Sequence, residues 1–143
     1  MDRPWQIQLR KELQEAPDDR TIHWVYGPDG NAGKSTFVKC LMKKDWVMVN
    51  AGSAADMKYQ YIQQGMTKNM VVDIPRQVEG VHYSAIYSLV EEVKNRLISS
   101  TKYRPVQVVD VRRVHVVVMS NKKPDMEMLS KDRICLHDLS PQC

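Results

Sequence analysis

Gly27-Pro28-Asp29-Gly30-Asn31-Ala32-Gly33-Lys34-Ser35-Thr36 is the stretch on which the reading of this 143-residue chain turns. It follows Thr21-Ile-His-Trp-Val-Tyr26, a short run of β-favouring residues that reads as a buried strand. It leads into a helix expected over residues 34–42, with Phe37, Cys40 and Leu41 on the inner face. A glycine-containing loop between strand and helix can turn its backbone N–H groups inward around an anion, and the helix N-terminus adds the positive end of its dipole. Lys34 can then reach the β- and γ-phosphates of a nucleoside triphosphate, and the Ser35 hydroxyl can ligate Mg²⁺. Gly27, Pro28, Asp29, Gly30, Asn31, Ala32, Gly33, Lys34, Ser35 and Thr36 are therefore the candidate nucleotide-binding residues. One detail departs from strict Gly-x-x-x-x-Gly-Lys-Ser spacing: counting back from Gly33 lands on Pro28, so the loop that starts at Gly27 is one residue longer.

On either side, strands alternate with helices. Asp2 can cap a first helix with Pro4 in its opening turn; Trp5, Leu9 and Leu13 form its stripe, and it ends near Pro17. Residues 46–50 and 70–74 read as strands, with a helix over 56–64 that turns Tyr59 and Ile62 inward. The clearest helix is expected over 83–98. Ile86, Leu89, Val90, Val93 and Leu97 make its apolar stripe, and Glu91, Glu92, Lys94 and Arg96 its wet side. Residues 106–111 are β-rich, and 114–119 form a near-continuous apolar run suited to a strand covered on both faces. Residues 133–139 read as the last strand. The alternation argues for a three-layer α/β fold around a central, mainly parallel sheet.

Asp73 closes an apolar strand on what is expected to be the neighbour of the phosphate-loop strand. It reads either as the carboxylate that holds Mg²⁺ or as a turn cap before Pro75. Many motor ATPases carry a second acid at the next position; here it is Ile74, so no water-activating base is visible. Asn121 ends the apolar strand and is either a γ-phosphate sensor or an Asx-turn former. Arg133 opens the last strand and is either a surface ion-pair residue or an arginine that stabilises phosphoryl-transfer charge from a neighbouring subunit.

Composition bounds the rest. Hydrophobic residues make up 43% and charged residues 27%, the balance of one globular domain with a single core. A net charge of +4 tolerates a polyanion without demanding one. Cys40, Cys135 and Cys143 show no Cys-x-x-Cys or Cys/His pairing at zinc spacing, so neither a disulfide framework nor a zinc site is suggested. No apolar run reaches membrane-spanning length and no hydrophobic signal core opens the chain, so the expectation is an intracellular protein with no membrane partner.

Together the motifs resemble the superfamily-three helicase domain of replication initiator proteins of circular single-stranded DNA viruses, in particular those of nanoviruses and their alphasatellites. The resemblance covers nearly the whole chain. It rests on Arg3-Pro-Trp-Gln6, the segment from Arg20 into the longer loop, Val71-Val-Asp-Ile-Pro-Arg76, Lys102-Tyr-Arg-Pro105, Val114-His-Val-Val-Val118 with Asn121, Pro124 and Asp125, and Leu129-Ser-Lys-Asp-Arg133. It implies an AAA+-like P-loop core, ATP and Mg²⁺ as cofactors, single-stranded DNA as partner, a self-associated ring such as a hexamer, and the host nucleus as location. Lys34 and Ser35 match the Walker A pair, Asp73 the Walker B acid, Asn121 sensor 1 and Arg133 the trans-acting finger.

Lys102 lies in the motif before a DNA-contacting hairpin. Arg104, Arg112 and Arg113 lie in the same stretch, where basic side chains either track phosphates or form a solvated face. Relatives often carry a Gly-Gly-Lys-like segment where this chain has Ala51-Gly-Ser-Ala-Ala-Asp56, so no lysine role transfers there. His23, His82, His115 and His137 include no His-hydrophobe-His pair of a nickase domain. Residues 1–143 are thus expected to be the motor domain of a larger initiator. Two other readings are open: a nucleotide-gated DNA-binding or assembly module with little hydrolysis, and a P-loop kinase of a small metabolite. The kinase would want an acceptor-binding region and an arginine-rich lid, and neither is visible.

Overall fold

The computed structural model describes residues 3–27, 33–42, 45–64, 68–74, 83–100, 106–109, 112–124, 127 and 131–139, at 99, 100, 106–109 and 131 by backbone alone. Short apolar strands with no polar face must be covered on both sides, which favours a parallel sheet between helices. That is the architecture. Five strands, β1 (Ile22–Tyr26), β2 (Trp46–Asn50), β3 (Asn69–Asp73), β6 (Val116–Ser120) and β7 (Ile134–Asp138), form one sheet in the order β2-β3-β6-β1-β7. Every ladder in it is parallel. Two further strands, β4 (Leu97–Ser100) and β5 (Val106–Val109), pair antiparallel in a separate ribbon. β3 is not the neighbour of β1: β6 lies between them, with Val72 and Trp24 both opposite Val118.

The strand period of two sorts the core onto two faces. On one face Val25, Val71, Val117 and Met119 pack against Leu9 of α1 (Pro4–Gln14) and Phe37, Val38 and Leu41 of α2 (Lys34–Leu41). On the other, Ile22, Trp24, Val72, Val116 and Val118 pack against Met57 and Tyr61 of α3 (Ala54–Gln64) and Ile86, Leu89, Val90 and Val93 of α4 (Tyr83–Asn95). Among the described residues no helix is long and apolar enough to cross a membrane.

The helices differ from the expected ones where tertiary contacts outweigh local pattern. Arg3, not Asp2, is the N-cap of α1, and its N–H donates to Gln6 Oε1 at 2.8 Å. On α2 the buried set is Phe37, Val38 and Leu41, while Cys40 is exposed. On α3 the inward residues are Met57 and Tyr61, with Tyr59 and Ile62 half-buried.

α4 stops at Asn95 rather than at 98, because Arg96 takes a left-handed backbone (φ 63°) that ends the helix, and Leu97 emerges exposed in β4. Lys94 and Arg96 are not on the wet side. Lys94 is 2% exposed, its ammonium donating to Asp18 O (2.9 Å) and Val114 O (2.7 Å); Arg96 donates to Tyr61 Oη (3.0 Å) and Val93 O (3.2 Å). Long cationic stems line the core while their heads satisfy carbonyls that would otherwise be buried unpaired.

Candidate nucleotide-binding site

All five strands of the sheet run the same way, so their C-terminal ends share one rim. In open α/β sheets that rim, between strand ends and helix N-termini, is where ligands bind. β1 delivers Gly27 to it, whose N–H continues the ladder onto Ser120 O at 3.0 Å. α2 starts from Gly33, which adopts φ 84° at the N-cap. A Cβ at that position would stand 2.8 Å from Gln6 Nε2, the amide that donates to Gly33 O at 3.0 Å. The backbone hand therefore favours glycine here, and a side chain would also have to push the Gln6 amide aside.

Lys34, in the first turn of α2, turns its ammonium back over the strand ends. It donates to Asn121 Oδ1 at 2.7 Å, to Gly27 O at 2.8 Å and to Ser120 O at 3.3 Å. Asp73 ends β3 on the same face of the sheet as α2. Burial pushes its carboxyl above the ordinary range, while the positive charge of Lys34 pulls it back. The cation, the half-buried carboxylate and the amide thus meet on one rim, drawn from α2, β3 and the end of β6.

The fold brings together Gly27, Gly33, Lys34, Asp73 and Asn121, with Ser35 and Thr36 exposed in the first turn of α2. Pro28, Asp29, Gly30, Asn31 and Ala32 lie outside the described residues, as do Lys102 and Arg104, which belong to the segment joining β4 to β5. Arg112 and Arg113 are exposed just ahead of β6, at the opposite rim from Lys34.

Arg133 is also at that opposite rim, in a 3₁₀ turn (Lys131–Arg133) before β7. Arg133 is 8% exposed, and its guanidinium donates to Asn95 Oδ1 at 3.1 Å and lies 3.7 Å from Glu91 Oε1. One strand length, about 16 Å, separates the two rims. Arg133 is therefore not a cis neighbour of Lys34, and in this chain its side chain is turned inward onto α4.

Three contributors escaped the sequence reading. Gln6 ties α1 to the loop through Gly33 O; it stands in the Arg3-Pro-Trp-Gln6 motif, and the Arg3-x-x-Gln6 spacing of a back-bonding cap was the physical signal for it. Ser120 supplies a carbonyl to Lys34 and a hydroxyl that accepts from Lys122 N–H (2.9 Å) and sits 3.3 Å from Tyr83 Oη. Trp24 stacks on Tyr83 and Tyr87 and donates its indole N–H to Lys122 O at 2.8 Å, fixing the turn that carries Asn121. No local pattern announces the last two, because the contacts that tie them to Lys34, to Tyr83 and to the Asn121 turn join segments distant in sequence.

Residues 23–122 match the family described as RNA helicase. The chain is similar to Para-Rep C2 of Milk vetch dwarf C2 alphasatellite, 47% identical over 135 residues, covering 94% of this chain and 46% of the relative. It is likewise similar to Para-Rep C1 of Faba bean necrotic yellows C11 alphasatellite (44% over 135 residues) and Para-Rep C6 of Subterranean clover stunt C6 alphasatellite (47% over 137 residues), with the same coverage of each. The chain spans about half the length of these curated relatives. The matched segment runs from the phosphate-loop strand through the strand that leads to Asn121, and it takes in more than half of the residues: the chain belongs to the RNA helicase family, as a superfamily-three-like helicase domain of the Rep type.

Proposed function

We propose that this domain is a Mg²⁺-dependent ATPase that drives translocation on, or unwinding of, DNA within a replication initiator, with single-stranded DNA as its track. One observation carries the reading: the Lys34 ammonium is held at 2.7 Å from Asn121 while its charge acts on Asp73, three groups from three elements on the ligand-binding rim of a parallel sheet. A hard cation takes oxygen ligands, and the half-buried Asp73 carboxylate together with the exposed Ser35 hydroxyl suits it. Mg²⁺ bound with the triphosphate neutralises charge on the transferring phosphoryl group.

In this mechanism Lys34 exchanges its protein acceptors for phosphate oxygens when nucleotide enters the loop at Gly33. That exchange leaves the Asn121 amide available to orient a water, as a sensor would. Self-association into a ring, probed as a hexamer, lets a neighbouring subunit supply Arg133, provided that its contacts with Asn95 and Glu91 break on assembly. By family resemblance the setting is the host nucleus.

A phosphate-release assay across a range of protein concentrations, with and without single-stranded DNA, tests the proposal. The expected outcome is a rate per subunit that rises with concentration and with DNA, and that is lost in Lys34→Ala. Unchanged turnover in Lys34→Ala would refute it.

A second reading is favoured by one specific residue. The position after Asp73, where a second acid would stand, is Ile74, 6% exposed in the core with its N–H on Met119 O at 3.0 Å. With that position apolar, the domain is instead a nucleotide-gated DNA-binding or assembly module with little hydrolysis. Nucleotide-dependent DNA binding without phosphate release would select that reading.

A further inference from the structure

Away from the phosphate loop, on the sheet face covered by α1, four side chains from three elements converge: Glu12 of α1, His23 of β1, and Cys135 and His137 of β7. Parallel pairing sets His23 beside Cys135, and the strand period puts His137 on the same face. One ligand atom from each residue lies within 4.8 Å of every other. His137 Nε2 is 3.3 Å from His23 Nδ1, 3.6 Å from Cys135 Sγ and 3.4 Å from Glu12 Oε2, and Cys135 Sγ is 3.9 Å from Glu12 Oε1. Tetrahedral Zn²⁺, with Zn–N of about 2.0–2.1 Å and Zn–S of about 2.3 Å, sets its ligand atoms roughly 3.3–3.6 Å apart. The three separations from His137 Nε2 fall within that range; that between Cys135 and Glu12, measured to the other carboxylate oxygen, is a few tenths of an ångström longer.

Without a cation the group is poorly satisfied. Glu12 Oε2 is buried and has no hydrogen-bond partner among the described residues. His137 Nε2 faces a ring nitrogen, a thiol and a carboxylate at once, and a single nitrogen cannot serve all three. A divalent ion answers each of these, and its charge equals that of one thiolate plus one carboxylate, so a neutral cluster would sit in the half-buried site.

We infer that Glu12, His23, Cys135 and His137 form a structural Zn²⁺ site that clips α1 and the edge strand β7 to β1. Two imidazoles, a thiolate and a carboxylate fill all four positions, which suits a structural site rather than a catalytic one, and mixed nitrogen and sulfur donors select zinc over Mg²⁺. The Glu12 side chain is one-third exposed, which leaves the ion a way in from solvent. Loading deprotonates the Cys135 thiol and releases its proton.

The test uses the 143-residue chain, freed of any affinity tag, stripped with chelator and dialysed against Zn²⁺ or Co²⁺. Expected results are about one zinc per chain by mass spectrometry, a higher melting temperature on loading, and an intense tetrahedral Co²⁺ spectrum with a sulfur-to-metal charge-transfer band. Cys135→Ser should lose that band and Glu12→Gln should bind more weakly, while Cys40→Ser should match the parent. The parent spectrum decides even if a variant fails to fold. A weak octahedral Co²⁺ spectrum, or substoichiometric zinc removed by a mild chelator with no change in melting temperature, would overturn the site.

Discussion

Lys34 Nζ donates to Asn121 Oδ1 at 2.7 Å, joining the first turn of α2 to the residue that follows β6. The two are 87 positions apart in the chain. They meet because β6 is inserted between β1 and β3, so the end of the central strand faces the start of the helix that follows the phosphate loop.

This contact predicts a division of labour. Asn121→Ala should bind nucleotide nearly as well as the parent, since the Lys34 charge remains, but turnover should fall by about 10²-fold as an oriented polar group is lost. Nucleotide binding and phosphate release, measured separately, check this. Equal losses in both would mean that Asn121 only positions Lys34.

Gly33→Ala should destabilise the fold even without nucleotide. A left-handed backbone costs a non-glycine residue about 1–2 kcal/mol, and the new methyl would also displace Gln6 from Gly33 O. Urea denaturation reads the sum. Adding Gln6→Ala to Gly33→Ala should relieve the steric part and leave the backbone part, so the double variant should be less destabilised than the two single effects added together.

Arg133→Ala should lower the stability of the isolated chain, because Asn95 and Glu91 lose a buried guanidinium partner. The melting temperature is expected to drop whether or not assembly occurs. For the trans role the measurement is complementation: assembled mixtures of Arg133→Ala and Lys34→Ala subunits should recover turnover that neither has alone. A stability loss with no recovery would leave Arg133 as an anchor for α4.

Asp18 should contribute to stability at neutral pH and lose that contribution in acid. Burial pushes its carboxyl up, but the Thr21 hydroxyl and N–H, the Arg20 N–H and the charge of Lys94 outweigh this and hold it below the ordinary range. A carboxyl lowered on folding adds stability above its unfolded value and forfeits it as pH falls through its folded value. Asp18→Asn should therefore be less stable than the parent at neutral pH, with the gap closing in strong acid, as followed by denaturant unfolding across pH.

Lys94→Met tests the buried ammonium beside it. Methionine fills a similar volume but leaves Asp18 O and Val114 O without their donor, a loss of about 1–3 kcal/mol. A neutral or stabilising result would mean that water reaches both carbonyls.

The alternation of strands with helices over most of the chain, and the helix that starts after Gly33, were legible in the sequence because they follow from local facts, whereas β4 was not foreseen. Apolar runs such as Val116–Ser120 have no polar face to show solvent, and glycine before Lys34 frees backbone N–H groups at a helix start. The stripe of α4 was equally legible, and its end was not. Arg96 turns left-handed where its guanidinium can reach Tyr61, a residue of another helix.

Only the tertiary structure decided which strand lies beside which. Strand order depends on how crossovers pack, and it set β6, not β3, against β1. It likewise drew Lys94 and Arg133 inward, since a long cationic side chain buries its head only where distant segments offer oxygen acceptors. The same holds for Glu12, His23, Cys135 and His137. No spacing along the chain foretells their meeting, because the parallel pairing of β1 with β7 and the path of α1 over them bring together residues from opposite ends of the sequence.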